Sequence, residues 1–186
     1  QIGSDPSGTA FDLDVDGIAE TLAWTNGEDA LLVLDHDGSG TIDDGTEVVS
    51  PYFLGLNYLT SVDALVSLDT NSDGVIDADD DRFNELMLWI DSDSDGISQP
   101  NELIPLADES ISAINLDASE DGNQVDSQVI TQQGSVIFSD GSLGTYVQAN
   151  FAILGNQTDV NSGAEVATPE TLADPSDVGA ILSGAD

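Results

Sequence analysis

The first hundred residues of this chain are interrupted four times by a run of alternating acids that includes glycine: Asp12 to Glu20, Asp35 to Glu47, Asp69 to Asp80 and Asp91 to Glu102. Asp and Gly favour turns, and neighbouring carboxylates repel one another, so no long helix or strand is expected to run through such a cluster. The chain must therefore fold as short apolar elements strung between acidic loops.

Net charge sharpens this. The 186 residues carry 37 acids against one cationic side chain, Arg82, for a formal charge of −36. Nucleic-acid binding and docking on anionic membrane both need clustered Lys or Arg, so neither is expected. Of the acids, 28 are Asp and 9 are Glu. The excess of the shorter carboxylate points to turns and oxygen cages for hard cations more than to helical surfaces. With no cysteine and one histidine, His36, thiolate and His-based metal sites are excluded, as are most nucleophile and base constellations. Hydrophobic residues make up 39% of the chain, enough for a core, and no apolar run is long enough to span a bilayer. Such charge fits a secreted, extracellular or cell-surface setting rich in calcium and salt, as in a halophilic or marine source.

An EF-hand loop needs oxygen ligands at positions 1, 3, 5, 7 (backbone), 9 and 12, with Gly at position 6. Asp91, Asp93, Asp95, Ile97, Gln99 and Glu102 fill those slots around Gly96. Asp69, Asn71, Asp73, Val75, Asp77 and Asp80 do so around Gly74, with a closing Asp one methylene short, so that loop should close less fully. Asp35, Asp37, Ser39, Thr41 and Asp43 begin a third loop, whose acid, Glu47, falls one place late after Gly45. Asp12, Asp14 and Asp16 open a fourth, which only Glu20 can close, giving a shortened site. Two to four Ca2+ ions are expected, since oxygen-only ligands in this number favour calcium over magnesium. The competing reading, an acidic surface turn, suits one cluster better than four.

Between the loops, Ala30 to Leu34 reads as a short strand or a buried turn of helix. Tyr58 to Leu68 reads as a helix with Leu59, Val62, Leu65 and Val66 on one face. Ala78 to Ile90 reads as a second helix, with Phe83, Leu86, Met87 and Ile90 as its buried stripe. After Leu106 strand and hairpin signals take over: Ile111 to Leu116, Gln128 to Ile130, Ser135 to Phe138, a turn at residues 139–142, and Thr145 to Leu154. The expected fold is α+β, with EF-hand-like calcium loops and short helices in residues 11–106 packed on a small antiparallel β-sheet in residues 107–155. Residues 1–10 form an extended segment, and residues 156–186 a low-complexity tail or docking segment. Trp24, Tyr52 and Phe53 form either core or an exposed aromatic patch for sugar binding, core being favoured. Trp89 reads as core, and His36 as an outward-facing loop residue.

The runs Phe-Asp-Leu-Asp-Val-Asp-Gly at 11–17, Leu-Val-Leu-Asp-His-Asp-Gly-Ser-Gly-Thr-Ile-Asp-Asp-Gly-Thr-Glu at 32–47 and Leu-Trp-Ile-Asp-Ser-Asp-Ser-Asp-Gly-Ile-Ser-Gln-Pro-Asn-Glu-Leu at 88–103 resemble the calcium-binding modules of secreted RTX-type bacterial proteins. They are similar in particular to the self-processing module of the iron-regulated RTX proteins. Residues 111–116 and 132–134 extend the resemblance, which covers about residues 11–155. The glycine-aspartate repeats of RTX β-rolls are absent, so a globular module is expected. The resemblance implies calcium-driven folding and, in self-processing members, cleavage of an Asp-Pro bond just before the module, and Asp5-Pro6 stands near the corresponding place. The leading expectation is a non-catalytic calcium-dependent structural or adhesive module, partnered by copies of itself or another extracellular protein through its terminal segments. Autocatalytic cleavage at Asp5-Pro6 and a carbohydrate-binding adhesin are the alternatives.

Overall fold

The structure, a computed structural model, describes residues 4–120, 124–125, 128–151, 153–154 and 178–183. It is mostly β. Strands β1 (Ser4–Phe11) and β2 (Glu20–Thr25) form a separate two-stranded antiparallel ribbon. Strands β3 (Ala30–Val33), β4 (Val75–Asp77), β5 (Met87–Trp89), β6 (Leu103–Pro105), β7 (Ile111–Asn115), β10 (Gln128–Phe138), β11 (Leu143–Asn150) and β12 (Val178–Ser183) form a large antiparallel sheet in the order β4-β7-β10-β11-β12-β3-β5-β6. The short β8 (Ser119–Glu120) and β9 (Gln124–Val125) pair with β10.

The middle of this sheet is buried on both faces. Ala30, Leu32 and Leu34 enter one apolar cluster with Val49, Phe53, Leu65, Ile76, Leu86, Leu88 and Tyr146. Leu31 and Val33 point the other way, into a cluster with Phe11, Leu22, Trp24, Trp89, Val147 and Phe151. A strand covered on both sides reads as a continuous apolar run, which leaves the residues before the Asp35 loop ambiguous in sequence. The second cluster is roofed by the β1–β2 ribbon, whose Trp24 ring lies 5.5 Å from Trp89 and 5.4 Å from Phe11.

The expected α+β class is overturned. The described residues contain one helix, α1 (Ser61–Val66), and two single 3₁₀ turns at Phe53–Gly55 and Phe83–Glu85, so no loop is flanked by a pair of EF-hand helices. The helix expected from Ala78 to Ile90 is instead a turn, a 3₁₀ turn and strand β5. Leu88 packs in the first cluster while Trp89, with Met87 against it, packs in the second, so burial alternates with the period of a strand. Residues 83–90 fit a helical stripe only because apolar side chains are wanted on both faces. The helix within Tyr58 to Leu68 forms but is shorter, because the Thr60 hydroxyl accepts the Asp63 amide at 3.1 Å and starts it there. Leu59 is left 86% exposed and Val66 49% exposed, so of the expected face Leu65 is the side chain fully buried, joined by Ala64 and Leu68.

The strands after Leu106 form as expected, with residues 128–138 continuous as β10. Most of the expected tail lies outside the described residues. Val178–Ser183 enters this chain's own sheet between β11 and β3.

Candidate metal centre

The four acidic clusters fold as the same turn. In each, the first carboxylate accepts the amides of the fifth and sixth loop residues: Asp12 from Asp16 and Gly17, Asp35 from Ser39 and Gly40, Asp69 from Asp73 and Gly74, Asp91 from Asp95 and Gly96, at 2.8–3.2 Å. The sixth residue has positive φ in every case, 88°, 84°, 87° and 74° in chain order, a conformation that glycine adopts without a Cβ penalty. Position three closes a small local turn in three loops, Asp14, Asp37 and Asn71 each accepting the amide two residues on. Position five does so in all four, through Asp16, Ser39, Asp73 and Asp95, the last two taking the amides of Val75 and Ile97.

The closing acid is likewise shared. Glu102 accepts the amides of Ser92 and Gln99, Asp80 those of Thr70 and Asp77, and Glu47 those of His36 and Asp43. In each pair these are loop positions two and nine, so the displaced Glu47 takes the part of a twelfth residue. The extra residue is taken up around Gly45, where any Cβ would collide with the Leu13 carbonyl oxygen. Gln99 also donates to Asp95, and Thr41 to Asp43.

Three loops bring three acids together. Carboxylate oxygens of Asp12, Asp14 and Glu20, of Asp35, Asp37 and Glu47, and of Asp91, Asp93 and Glu102 lie within 4.8 Å of one another in each set. Of the four acids expected at the shortened Asp12 site, Asp12, Asp14 and Glu20 converge and Asp16 is not in the set. The Asp69 loop forms no such set among the described residues. Asp80 is buried, and although burial pushes its carboxyl up, the Asp77 and Thr70 amides, the Thr70 hydroxyl and the Asn71 amide hold it below the ordinary value.

Elsewhere burial and like charge act against ionisation. Burial raises Asp91, helped by the Glu102 charge; Glu47 is raised by burial and by Asp37 and Asp35; Asp14 by burial and Asp16; Glu20 by burial and Asp14. Exposed Asp37 is held low by the Ser39 amide and hydroxyl. The chain's one Arg, Arg82, is paired with Glu85 at 2.8 Å, outside the three acid sets. His36 is exposed, with Nε2 3.1 Å from the Thr46 hydroxyl.

Contacts between loops are what sequence reasoning missed. Gly45 donates to the Asp12 carbonyl at 2.8 Å, joining the first two loops. Ile42, at position eight of the Asp35 loop, donates its amide to the hydroxyl of Ser98, at position eight of the Asp91 loop, at 2.6 Å. Trp24 of β2 donates its indole N–H to Asp91 Oδ2 at 2.6 Å, and the Thr9 hydroxyl of β1 donates to the Ser94 carbonyl at 2.7 Å. A polar residue at position eight, where an apolar one is usual, was the one sequence signal for any of these. The backbone of Asp5 lies in β1 opposite Trp24; the side chains of Asp5 and Pro6 fall outside the described residues. Trp24, Phe53 and Trp89 are fully buried and Tyr52 half-buried, which removes most of the aromatic platform an adhesin reading needs.

Comparison with known proteins agrees with the motif resemblance in its coarser form. Residues 2–152 match the SPM domain. Over 145 residues the chain is 36% identical to the iron-regulated protein FrpA of Neisseria meningitidis serogroup C, covering 73% of this chain and 13% of that relative's length. The matched span takes in Asp5-Pro6, all four loops and the sheet as far as β11. The chain therefore belongs to the SPM domain family.

Proposed function

We propose that this chain is a calcium-ordered module of a secreted, RTX-type protein, whose folding and assembly with copies of itself or other extracellular protein depend on the ion. One observation carries the reading: three sets of three converging carboxylates share a single turn geometry, with buried Asp91, Glu102 and Glu47 among them and no cationic side chain in any set. Buried like charges at that spacing need a compensating charge, and a divalent ion held by oxygens supplies it. Asp12, Asp14 and Glu20, Asp35, Asp37 and Glu47, and Asp91, Asp93 and Glu102 are the residues that would hold it. Calorimetric titration with calcium, followed in parallel by circular dichroism and light scattering, tests this. Binding in the range of about 10⁻⁴ to 10⁻³ M, with a gain of structure, is expected; no heat and no change between chelator and millimolar calcium sinks it.

A second reading, self-cleavage at Asp5-Pro6, draws on the family match, which includes that bond, and on the pairing of Asp5 with Trp24, itself bonded to the Asp91 loop. In that chemistry an Asp5 carboxylate oxygen attacks the residue's own carbonyl carbon. The C–N bond to Pro6 breaks, the proline nitrogen takes a proton, and the cyclic anhydride left on Asp5 is opened by water or an amine. None of these 186 residues is a lysine, so a lysine acceptor lies outside them. Intact mass before and after calcium addition decides it: loss of residues 1–5, abolished by Asp5→Ala, supports cleavage, and an unchanged mass removes it.

A further inference from the structure

The β1–β2 ribbon is a sheet of its own. Among the described residues, its backbone links to the rest of the chain run through Leu22 and Ile153, the Leu154 amide on the Thr21 carbonyl, and the Gly45 amide on the Asp12 carbonyl just past β1. Beyond its apolar underside, the ribbon meets the Asp91 loop at four places, through side chains and backbone together. Trp24 donates to Asp91 Oδ2 at 2.6 Å, Thr9 donates to the Ser94 carbonyl at 2.7 Å, and Ser94 Oγ donates to the Thr25 carbonyl at 3.3 Å. Gly96 sits flush against Thr9 and Ala10, where an added Cβ would come within 2.6 and 2.7 Å.

We infer that Trp24 is a positioning residue that couples ion occupancy of the Asp91 loop to docking of the N-terminal ribbon. This rests on the calcium reading above. Asp91 Oδ2 receives both the Gly96 amide and the Trp24 indole, while Oδ1 receives the Asp95 amide. Two donors thus fix one oxygen and with it the direction of the whole carboxylate, the role that outer-sphere donors play for metal ligands. The bond is charge-assisted and fully buried, so it is strong only while Asp91 is held in place as a carboxylate. Without an ion, Asp91, Asp93 and Glu102 repel, the loop loses its reason to close, and a buried indole N–H loses its acceptor. The ribbon then keeps its apolar underside but not its anchor. Because Asp5 lies directly across the ladder from Trp24, the order of β1 at that position follows the state of the loop.

Hydrogen exchange of residues 4–11 and 20–25 in the full chain, followed through a calcium titration, tests the coupling. Ion binding is measured on the same samples by calorimetry, and indole-sensitised luminescence of terbium serves as a probe near Trp24. Protection of the ribbon should rise with the midpoint of the Asp91 site, disappear in Asp93→Asn, and persist in Asp73→Asn of the Asp69 loop. Trp24→Phe keeps the ring and removes the donor; it should weaken that site about tenfold or more and shift ribbon protection to correspondingly higher calcium. Should this variant fail to fold, Thr9→Val, which removes only the second donor, is expected to shift the ribbon in the same direction by a smaller factor. Ion binding with ribbon protection equal in chelator and calcium, or folded variants with unshifted midpoints, overturns the coupling. Absence of any ion binding by the wild-type chain overturns the calcium reading itself, and is distinguished by the missing heat.

Discussion

The Ile42 amide donates to Ser98 Oγ at 2.6 Å, in a buried position, across 56 residues of sequence. Both residues occupy the eighth place of an acidic loop, so the contact joins two candidate ion sites back to back. Removing the hydroxyl in Ser98→Ala leaves a buried amide without its acceptor, a cost of about 1–3 kcal/mol. The expected outcome is a loss of that order in denaturant unfolding with calcium present, and a lower Hill coefficient for calcium, measured by titration calorimetry.

Glu102 and Glu47 close their loops from buried positions. Replacing either with Gln keeps shape but removes one charge and one oxygen that both chelates and accepts a backbone amide. Glu102→Gln should reduce calcium affinity by about tenfold or more at its loop. In chelator the relief of a buried like-charge repulsion offsets the amide left without its acceptor. Thermal unfolding of wild type and variant should therefore show a much larger loss with calcium than without.

In chelator, Asp91, Glu47, Asp14 and Glu20 have folded values above the ordinary 3.8 or 4.5 of their types. A raised acid takes up a proton on folding, so its stabilising contribution is complete below the ordinary value and lost as pH rises through the folded one. The ion-free chain should therefore gain stability as pH falls from neutral toward the ordinary 3.8 to 4.5, while the calcium-loaded chain loses it as protons compete for the ligands. Asp80, held low, acts in the opposite direction, and only below 3.8. Melting temperatures against pH in both states check this; parallel curves would falsify it.

Burial of Tyr146, with the Asp117 charge, raises its phenol to about 12 from 10.0, and its hydroxyl donates to the Asn115 carbonyl at 2.9 Å. The same sign rule places its contribution intact below pH 10 and lost as pH rises toward 12. Alkaline unfolding should begin above about pH 10, and Tyr146→Phe should be less stable at neutral pH yet flatter in that window.

Gly45 packs against the Leu13 carbonyl so closely that no side chain fits. Gly45→Ala must part the Asp12 and Asp35 loops or shift the backbone, at a cost of about 3 kcal/mol or more. A large loss of stability, with calcium affinity reduced at both loops, is the expected result.

The acidic turns were legible because they are local. The turn at each cluster is set by a carboxylate five residues before a glycine, and those bonds form within six residues of chain. Glu47 was also legible, one place late, since Gly45 can absorb the extra residue. The helix expected from Ala78 to Ile90 was not legible as a turn and a strand, because Leu88 and Trp89 face two different cores and a two-sided strand has no period to read. The likeness of the loops to EF-hands did not extend to the helices that flank such loops elsewhere.

What the sequence by itself determined is the set of acidic turns and the shortage of cations to neutralise them, one Arg against 37 acids, because these depend on residue type and short spacing. Only the tertiary structure decided which loops touch, that Trp24 and Thr9 hold the Asp91 loop, and that Ser98 meets Ile42. Those contacts join residues 56 to 85 positions apart. They follow from how two apolar clusters sandwich one sheet, and no local pattern carries that information.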